Sequence, residues 1–337
     1  MNLTSYRQIM LPAVDAEIRQ VLATPALDPC MDLREILLYH LGYEGDQAVV
    51  EAQGKRIRPL LVMLTAEAVG GDWRTTLPAA AAVELLHNFS LIHDDIEDRS
   101  DTRRGRATVW AKWKEAVAIN AGDAMNALAY VALEGLSQTI DWQAALEVYR
   151  ILAETCLRLT GGQHLDISSE EAGMLPLEVY WAMIGGKTAA LISASVRLGA
   201  VIAGANPEMI RILETFGYSL GLAFQVQDDW LGIWGDPAKT GKSSLTDLIA
   251  RKKTLPVIFG LQQRGRFYQA WNNQTENRGD LEQLAALLEE EGAKAFTAAE
   301  SARLMEDALR ALNAVGLENE GGKALRVLAT GLQARNF

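Results

Sequence analysis

Residues 78–98 read PAAAAVELLHNFSLIHDDIED. A proline opens the stretch, strong helix formers fill it, and a carboxylate cluster closes it. It reads as one long apolar helix. Asp94 and Asp98 stand at i and i+4, so both carboxylates project from one face. Like charges so placed weaken a helix by a few tenths of a kcal/mol, roughly. At a helix C-terminus they also oppose the dipole. A solvated helix end is the ordinary reading of an acidic run; the conflict with the dipole favours a bound cation. Hard oxygen ligands of this kind suit Mg²⁺, which is held by one or two carboxylates plus substrate phosphates. A second pair, Asp228-Asp229, lies far downstream, so the two clusters together suggest a multi-metal site for a diphosphate.

The rest of the 337 residues reads as helical too. Helices are expected over 59–70, 108–135, 141–160, 176–184, 187–204 and 207–233, then over 281–291, 296–315 and 322–334. The 187–204 segment is apolar nearly all round, which places it centrally. Residues 99–107 and 235–244 read as polar connections, residues 265–280 as a polar connection or a frayed helix end, and a kink is expected at Gly161-Gly162 beside His164. No composition break divides the chain, so one all-α domain over 1–337 is expected. Hydrophobic content is 49% and charged content 22%, ordinary for a globular protein. No run of about 18 apolar residues stands out, so no membrane span is expected. Met1 to Leu11 lacks the apolar segment of a signal peptide. Two cysteines, Cys30 and Cys156, argue against a disulfide framework and fit a reducing cytoplasm.

The net charge of −11 speaks against a nucleic-acid binder. Cations nevertheless cluster on both sides of the first acidic motif, as Lys55, Arg56 and Arg58 and as Arg99, Arg103, Arg104 and Arg106. Charge balance on a solvated surface is one account; an anion site beside a metal site is the other. Pro59 sets a helix entrance at Lys55 and Arg58, where dipole and side chains together favour phosphate. Arg103-Arg104 offers bidentate contacts to phosphate oxygens. The stretch from Gly235 to Ser243 is not a P-loop: five residues separate Gly235 from Gly241-Lys242 where four are needed, and no strand precedes it. A His-Asp phosphohydrolase is poorly supported, since none of the four histidines lies near Asp228.

Taken in order, GKRIRP (54–59), HDDIED (93–98), RRG (103–105), GD (122–123), GGQHLD (161–166), KT (187–188), FQVQDD (224–229), GK (241–242), TD (246–247) and KKTLP (252–256) resemble the motifs of trans-isoprenyl diphosphate synthases, the polyprenyl synthetase family. The resemblance covers about residues 50–256. It implies the all-α isoprenoid synthase fold, a helical barrel around a deep central cavity. It also implies a homodimer, with isopentenyl diphosphate and an allylic diphosphate as substrates and three Mg²⁺ ions bound with the latter. By resemblance, Asp94, Asp98 and Asp228 hold the metal, supported by Asp95 and Asp229. Arg103, Lys187 and Lys242 hold the allylic diphosphate, and Lys253 approaches it or holds the closing loop. Lys55, Arg58, His87 and Arg104 hold isopentenyl diphosphate without metal. Thr188 and Gln225 lie beside the allylic cation, and Asp247 hydrogen-bonds metal-bound water.

One departure stands out. The family's second motif has Asp at its fifth position, where this chain has Gly232. Asp236, four residues on, is a carboxylate that could substitute electrostatically. The gap keeps open a regulatory subunit of a heteromeric prenyltransferase, and the shared acidic motif keeps open a class I terpene cyclase. Both cationic pockets argue against the former, and a cyclase has no need of the second pocket. Product length turns on Phe89 and Ser90, five and four residues before Asp94 and about 5 Å deeper, one helical turn. One aromatic with a small neighbour resembles a twenty-carbon producer, so geranylgeranyl diphosphate is expected, with farnesyl diphosphate next.

Overall fold

The computed structural model describes residues 1–44, 47–48, 54–170, 173–236, 245–272 and 278–334. The chain there is almost entirely helical. In order run α1 (Leu3–Leu22), α2 (Met31–His40), α3 (Ile57–Val69), α4 (Leu77–Glu97), α5 (Val109–Trp113), α6 (Glu115–Ala132), α7 (Trp142–Glu170) and α8 (Leu177–Ile184). A π-helical segment, Gly185–Ala189, joins α8 to α9 (Ala190–Ile202). There follow α10 (Pro207–Trp234), α11 (Thr246–Ile249), α12 (Leu255–Gln263), α13 (Arg266–Asn272), α14 (Arg278–Glu290), α15 (Ala293–Val315) and α16 (Glu320–Ala334).

Local chemistry sets the ends that matter. Asn206 caps α10 by accepting from Met209 N, with Pro207 in the first turn. Gly70 closes α3 at φ 99°, a left-handed cap that only glycine takes without cost. The 187–204 expectation holds: α9 is buried on nearly every side and packs against α3, α7 and α10. Helix α4 lies along α6, and α10 along α15. The ends of α4 and α10 meet α7 and the π segment where the acidic residues sit. A large apolar core fills the bundle, and a smaller one, including Ile233, Leu248, Phe267, Trp271 and Leu288, lies beneath the C-terminal end of α10.

Several expectations are corrected. Residues 99–107 are not plain loop: Thr102–Arg103 pairs with Arg106–Ala107 in a small hairpin. Its turn residues, Arg104 and Gly105, both have positive φ, 52° and 75°, the pattern of a type I′ turn. The 108–135 helix breaks at Lys114, φ 74°. The helix expected to end at 160 runs on through Gly161-Gly162 to Glu170. Residues 266–272 form α13 because Phe267 and Trp271, one turn apart, are both buried. A second small hairpin, Tyr43–Glu44 with Gln47–Ala48, and helices α1, α2 and α12 were not anticipated. Glu115–Gln138 is, by length and composition, apolar enough to cross a membrane, at mean hydropathy 1.3; here it packs on α4.

Candidate active site

The first acidic motif closes α4. Asp94 is mostly buried, with 17% of its side chain exposed, and Asp98 is the C-cap. Cations from other elements answer the repulsion noted above. Lys187 Nζ lies 3.7 Å from Asp94 Oδ1 and 2.6 Å from Asp166 Oδ2. Lys252 Nζ lies 3.9 Å from Asp98 Oδ2. Burial raises the Asp94 pKa although Lys187 opposes it. Burial works against the Lys187 ammonium, but Asp94 and Asp166 outweigh it and hold its pKa up. Glu97 accepts from Gln163 Nε2 at 2.6 Å, a further tie from α4 to α7.

Two glycines make this meeting possible. A Cβ on Gly162 would stand 2.1 Å from the backbone nitrogen of Lys187, and one on Gly186 would stand 2.9 Å from Gly162 Cα. The backbones of α7 and the π segment therefore touch, which brings Asp166 and Lys187 within ion-pair distance. A π turn inside a helical run commonly marks a functional site. Here it carries both Lys187 and Thr188.

The facing wall is the last turns of α10. Thr188 Oγ1 donates to Gln225 Oε1 at 2.7 Å, and Gln225 Nε2 donates to Asp229 Oδ1 at 3.0 Å. Asp229 Oδ2 also accepts from the Tyr180 hydroxyl at 2.7 Å and from Leu255 N at 2.9 Å. Burial pushes the Asp229 carboxyl up to about 6 even against these donors. Asp229 is thus a buried anchor. It orients the Gln225 amide and ties the start of α12 to the wall, and it lines the cavity together with Asp228. That cavity, about 210 Å³, is bounded by Lys187, Thr188, Gln225, Asp228, Gly232, Asp247, Lys252 and Lys253 with Met183 and Ile184 on its apolar side.

A second cationic group stands apart from these lining residues. Arg58 Nη1 lies 3.2 Å from His87 Nε2. Arg104 packs over Gly54, where a Cβ would stand 2.5 Å from its guanidinium. Burial, with Arg104 nearby, pushes Arg58 down to about 10. Burial and the surrounding arginines hold His87 well below the usual imidazole range, so it is neutral. Cations pressed together in partly buried surroundings favour an anion. Arg56 serves otherwise: it is buried, 3.6 Å from Glu84 and 3.3 Å from Asp15.

The donor set fits a hard divalent cation. Asp94, Asp98, Asp228 and Asp247 offer oxygen only, and Asp95 Oδ2 is buried without a hydrogen bond. Among the described residues no three such groups converge to hold an ion by themselves.

The structure brings Lys187, Thr188, Gln225 and Asp228 around one cavity; Asp94 and Asp98 are not among its lining and join it through Lys187 and Lys252, while Arg58, His87 and Arg104 gather elsewhere. Arg103 is not among the cavity's lining; its Nε donates to Asp95 Oδ1 at 2.8 Å. Burial pushes Asp95 up to about 6, opposed by Arg103. Lys55 is exposed at the entrance to α3. Lys253 lines the cavity with its ammonium 5.4 Å from the Trp271 ring centre. Phe89 is half-buried with its ring edge-on to His93 at 5.0 Å, and Ser90 Oγ turns back onto His87 O at 2.8 Å. Neither is among the residues that line the 210 Å³ cavity. Lys242 lies outside the described residues. Sequence reasoning missed Asp166, Gln163, Tyr180 and Lys252. The first two lie inside the quoted GGQHLD run and could have been singled out there.

Residues 43–288 match the Polyprenyl synthetase family. A (2E,6E)-farnesyl diphosphate synthase of Mycobacterium tuberculosis is 40% identical over 314 residues, 90% of this chain and 86% of its own. A geranylgeranyl diphosphate synthase of the same organism is 43% identical over 263 residues, 75% and 74% respectively. A geranylgeranyl pyrophosphate synthetase structure from Pyrococcus horikoshii superposes with a TM-score of 0.89 at 30% identity, covering 99% of this chain and 98% of that one. With the acidic walls, the cationic groups and the all-α isoprenoid synthase fold, these matches show that the chain belongs to the polyprenyl synthetase family of prenyltransferases.

Proposed function

We propose that the chain is a Mg²⁺-dependent, head-to-tail prenyltransferase that condenses isopentenyl diphosphate with an allylic diphosphate and releases geranylgeranyl diphosphate. The supporting observation is the pair of separate cationic groups. Lys187, Lys252 and Lys253 face the carboxylate cavity, while Arg58 and Arg104 gather at His87. Two anion sites suit two diphosphates; a cyclase needs one. The relatives' names include both farnesyl and geranylgeranyl synthases, and the single aromatic Phe89 beside Ser90 supports the longer product.

The allylic C–O bond breaks, the isopentenyl double bond attacks the cation, and the proton then lost goes to the departing diphosphate. When bound, three Mg²⁺ ions would neutralise the charge that grows on that diphosphate. Lys187 stands ready beside Asp94 to take the same charge. The Thr188 hydroxyl donates a hydrogen bond to Gln225 Oε1, so its oxygen lone pairs can face positive charge in the cavity. Exposed Trp142, Leu146 and Leu157 share a face of α7 and support a homodimer. Unpaired Cys30 and Cys156 support a reducing cytoplasm.

The test is incubation of the purified chain with Mg²⁺, isopentenyl diphosphate and dimethylallyl, geranyl or farnesyl diphosphate, with products sized by mass spectrometry. A twenty-carbon diphosphate is expected, and none with EDTA. A product ending at fifteen carbons would reassign the chain length, and no elongation from any starter would overturn the reading.

A further inference from the structure

Tyr39, in the last turn of α2, meets the hairpin that carries Arg103 and Arg104 in three ways. Its hydroxyl donates to Ala107 O at 2.9 Å, and its own carbonyl accepts from Arg106 Nη1 at 3.2 Å. Its ring carries the Arg106 guanidinium at 4.1 Å and the Lys112 ammonium at 4.0 Å, both within cation–π range. Trp113 stands edge-on to the same ring at 4.9 Å, so α5 joins the contact. Arg106 and Ala107 are the return strand of the hairpin, paired with Arg103 and Thr102. Holding that strand holds the turn beside it, where Arg104 sits at φ 52°. Arg104 has little freedom there, because its guanidinium already fills the space that a Cβ on Gly54 would need. The space enclosed by Tyr39, His40 and the three arginines is about 30 Å³, room for a water molecule and not for a diphosphate. Tyr39 therefore reaches a substrate only through the hairpin.

We propose that Tyr39 is a positioning residue for Arg104: by clamping the return strand to α2 and α5, it sets the guanidinium at the second cationic group and with it the affinity for isopentenyl diphosphate. This rests on the prenyltransferase reading above, which gives Arg104 to that substrate. Arg103 has a tie of its own, to Asp95 Oδ1 at 2.8 Å, so loosening the clamp falls on Arg104 first.

The test is steady-state kinetics of the full chain with Mg²⁺, an allylic starter and varied isopentenyl diphosphate. Tyr39→Leu, which removes the hydroxyl and the aromatic face, should raise the KM for isopentenyl diphosphate about tenfold. The KM for the allylic diphosphate should stay within about twofold of the parent. Tyr39→Phe keeps the ring, loses one hydrogen bond and should raise the same KM about threefold. Arg104→Gln should raise it at least about tenfold, and adding Tyr39→Leu should then change it by less than about twofold, because Tyr39 acts through Arg104. A merely structural role would multiply the two losses and raise both KM values alike; either result would overturn the proposal. So would a KM for isopentenyl diphosphate within about twofold of the parent in Tyr39→Leu. If Tyr39→Leu fails to fold, Tyr39→Phe alone and combined with Arg104→Gln decides by the same comparison. An unchanged KM in Arg104→Gln, or no elongation by the parent, would instead overturn the reading on which the proposal rests.

Discussion

Lys187 Nζ sits between two carboxylates of different elements, 2.6 Å from Asp166 Oδ2 on α7 and 3.7 Å from Asp94 Oδ1 on α4. Asp166 is a positioning residue: it lines the same cavity and holds the ammonium there. Asp166→Asn should lower kcat/KM for the allylic diphosphate about tenfold, the scale of a misplaced binding group. The KM for isopentenyl diphosphate should stay unchanged, because the cations proposed for it, Arg58 and Arg104, are elsewhere. Equal effects on both substrates in steady-state kinetics would contradict this.

Tyr180 donates its hydroxyl to Asp229 Oδ2 from a fully buried position. Tyr180→Phe removes one of three donors to a buried carboxylate and should cost about 1–3 kcal/mol of stability. Denaturant unfolding measures it. A loss below roughly 0.5 kcal/mol, the scale of ordinary surface changes, would mean the network is slack.

Phe89 is the aromatic of α4 nearest the acidic motif. Phe89→Ala should lengthen the product by at least one five-carbon unit, read by mass spectrometry. Unchanged product length would remove Phe89 as a determinant of chain length.

Burial, with Arg103 and Arg104 nearby, pushes His40 down to about 3. The unfolded chain takes a proton on this imidazole below about 6.5 while the folded chain does not. Stability from the neutral form is therefore present above 6.5 and lost as pH falls. Asp95 and Asp229, raised to about 6, act oppositely over pH 6 to 4, so the parent profile is a difference of two trends. His40→Gln isolates one of them. Its unfolding free energy relative to the parent should improve by up to about 2 kcal/mol between pH 7.5 and 5. A pH-independent difference would contradict the assignment.

The sequence made many of the helices legible because apolar periodicity is local, and made Asp94 and Asp98 legible because i, i+4 spacing is local too. What it hid depends on distant backbones meeting. Lys187 and Thr188 read as a helix start but lie on a π turn that presses Gly186 against Gly162. Tyr180 carries no mark of its bond to Asp229, which spans two helices far apart in the chain. Helix α13 was obscured by polar composition although Phe267 and Trp271 keep helical spacing. Gly232 read as a missing carboxylate, and only the packing of α11 shows that Asp247 stands there, its Oδ2 2.0 Å from where a Cβ would lie.

The central claim is chain elongation, and the most direct measurement counts isopentenyl units incorporated against pyrophosphate released, with Mg²⁺ and an allylic starter. The account predicts one pyrophosphate per unit added by the parent, and at least about a thousandfold less of both with Asp94→Ala. Pyrophosphate released from the allylic diphosphate without incorporation of isopentenyl carbon, or turnover untouched by Asp94→Ala, would contradict it.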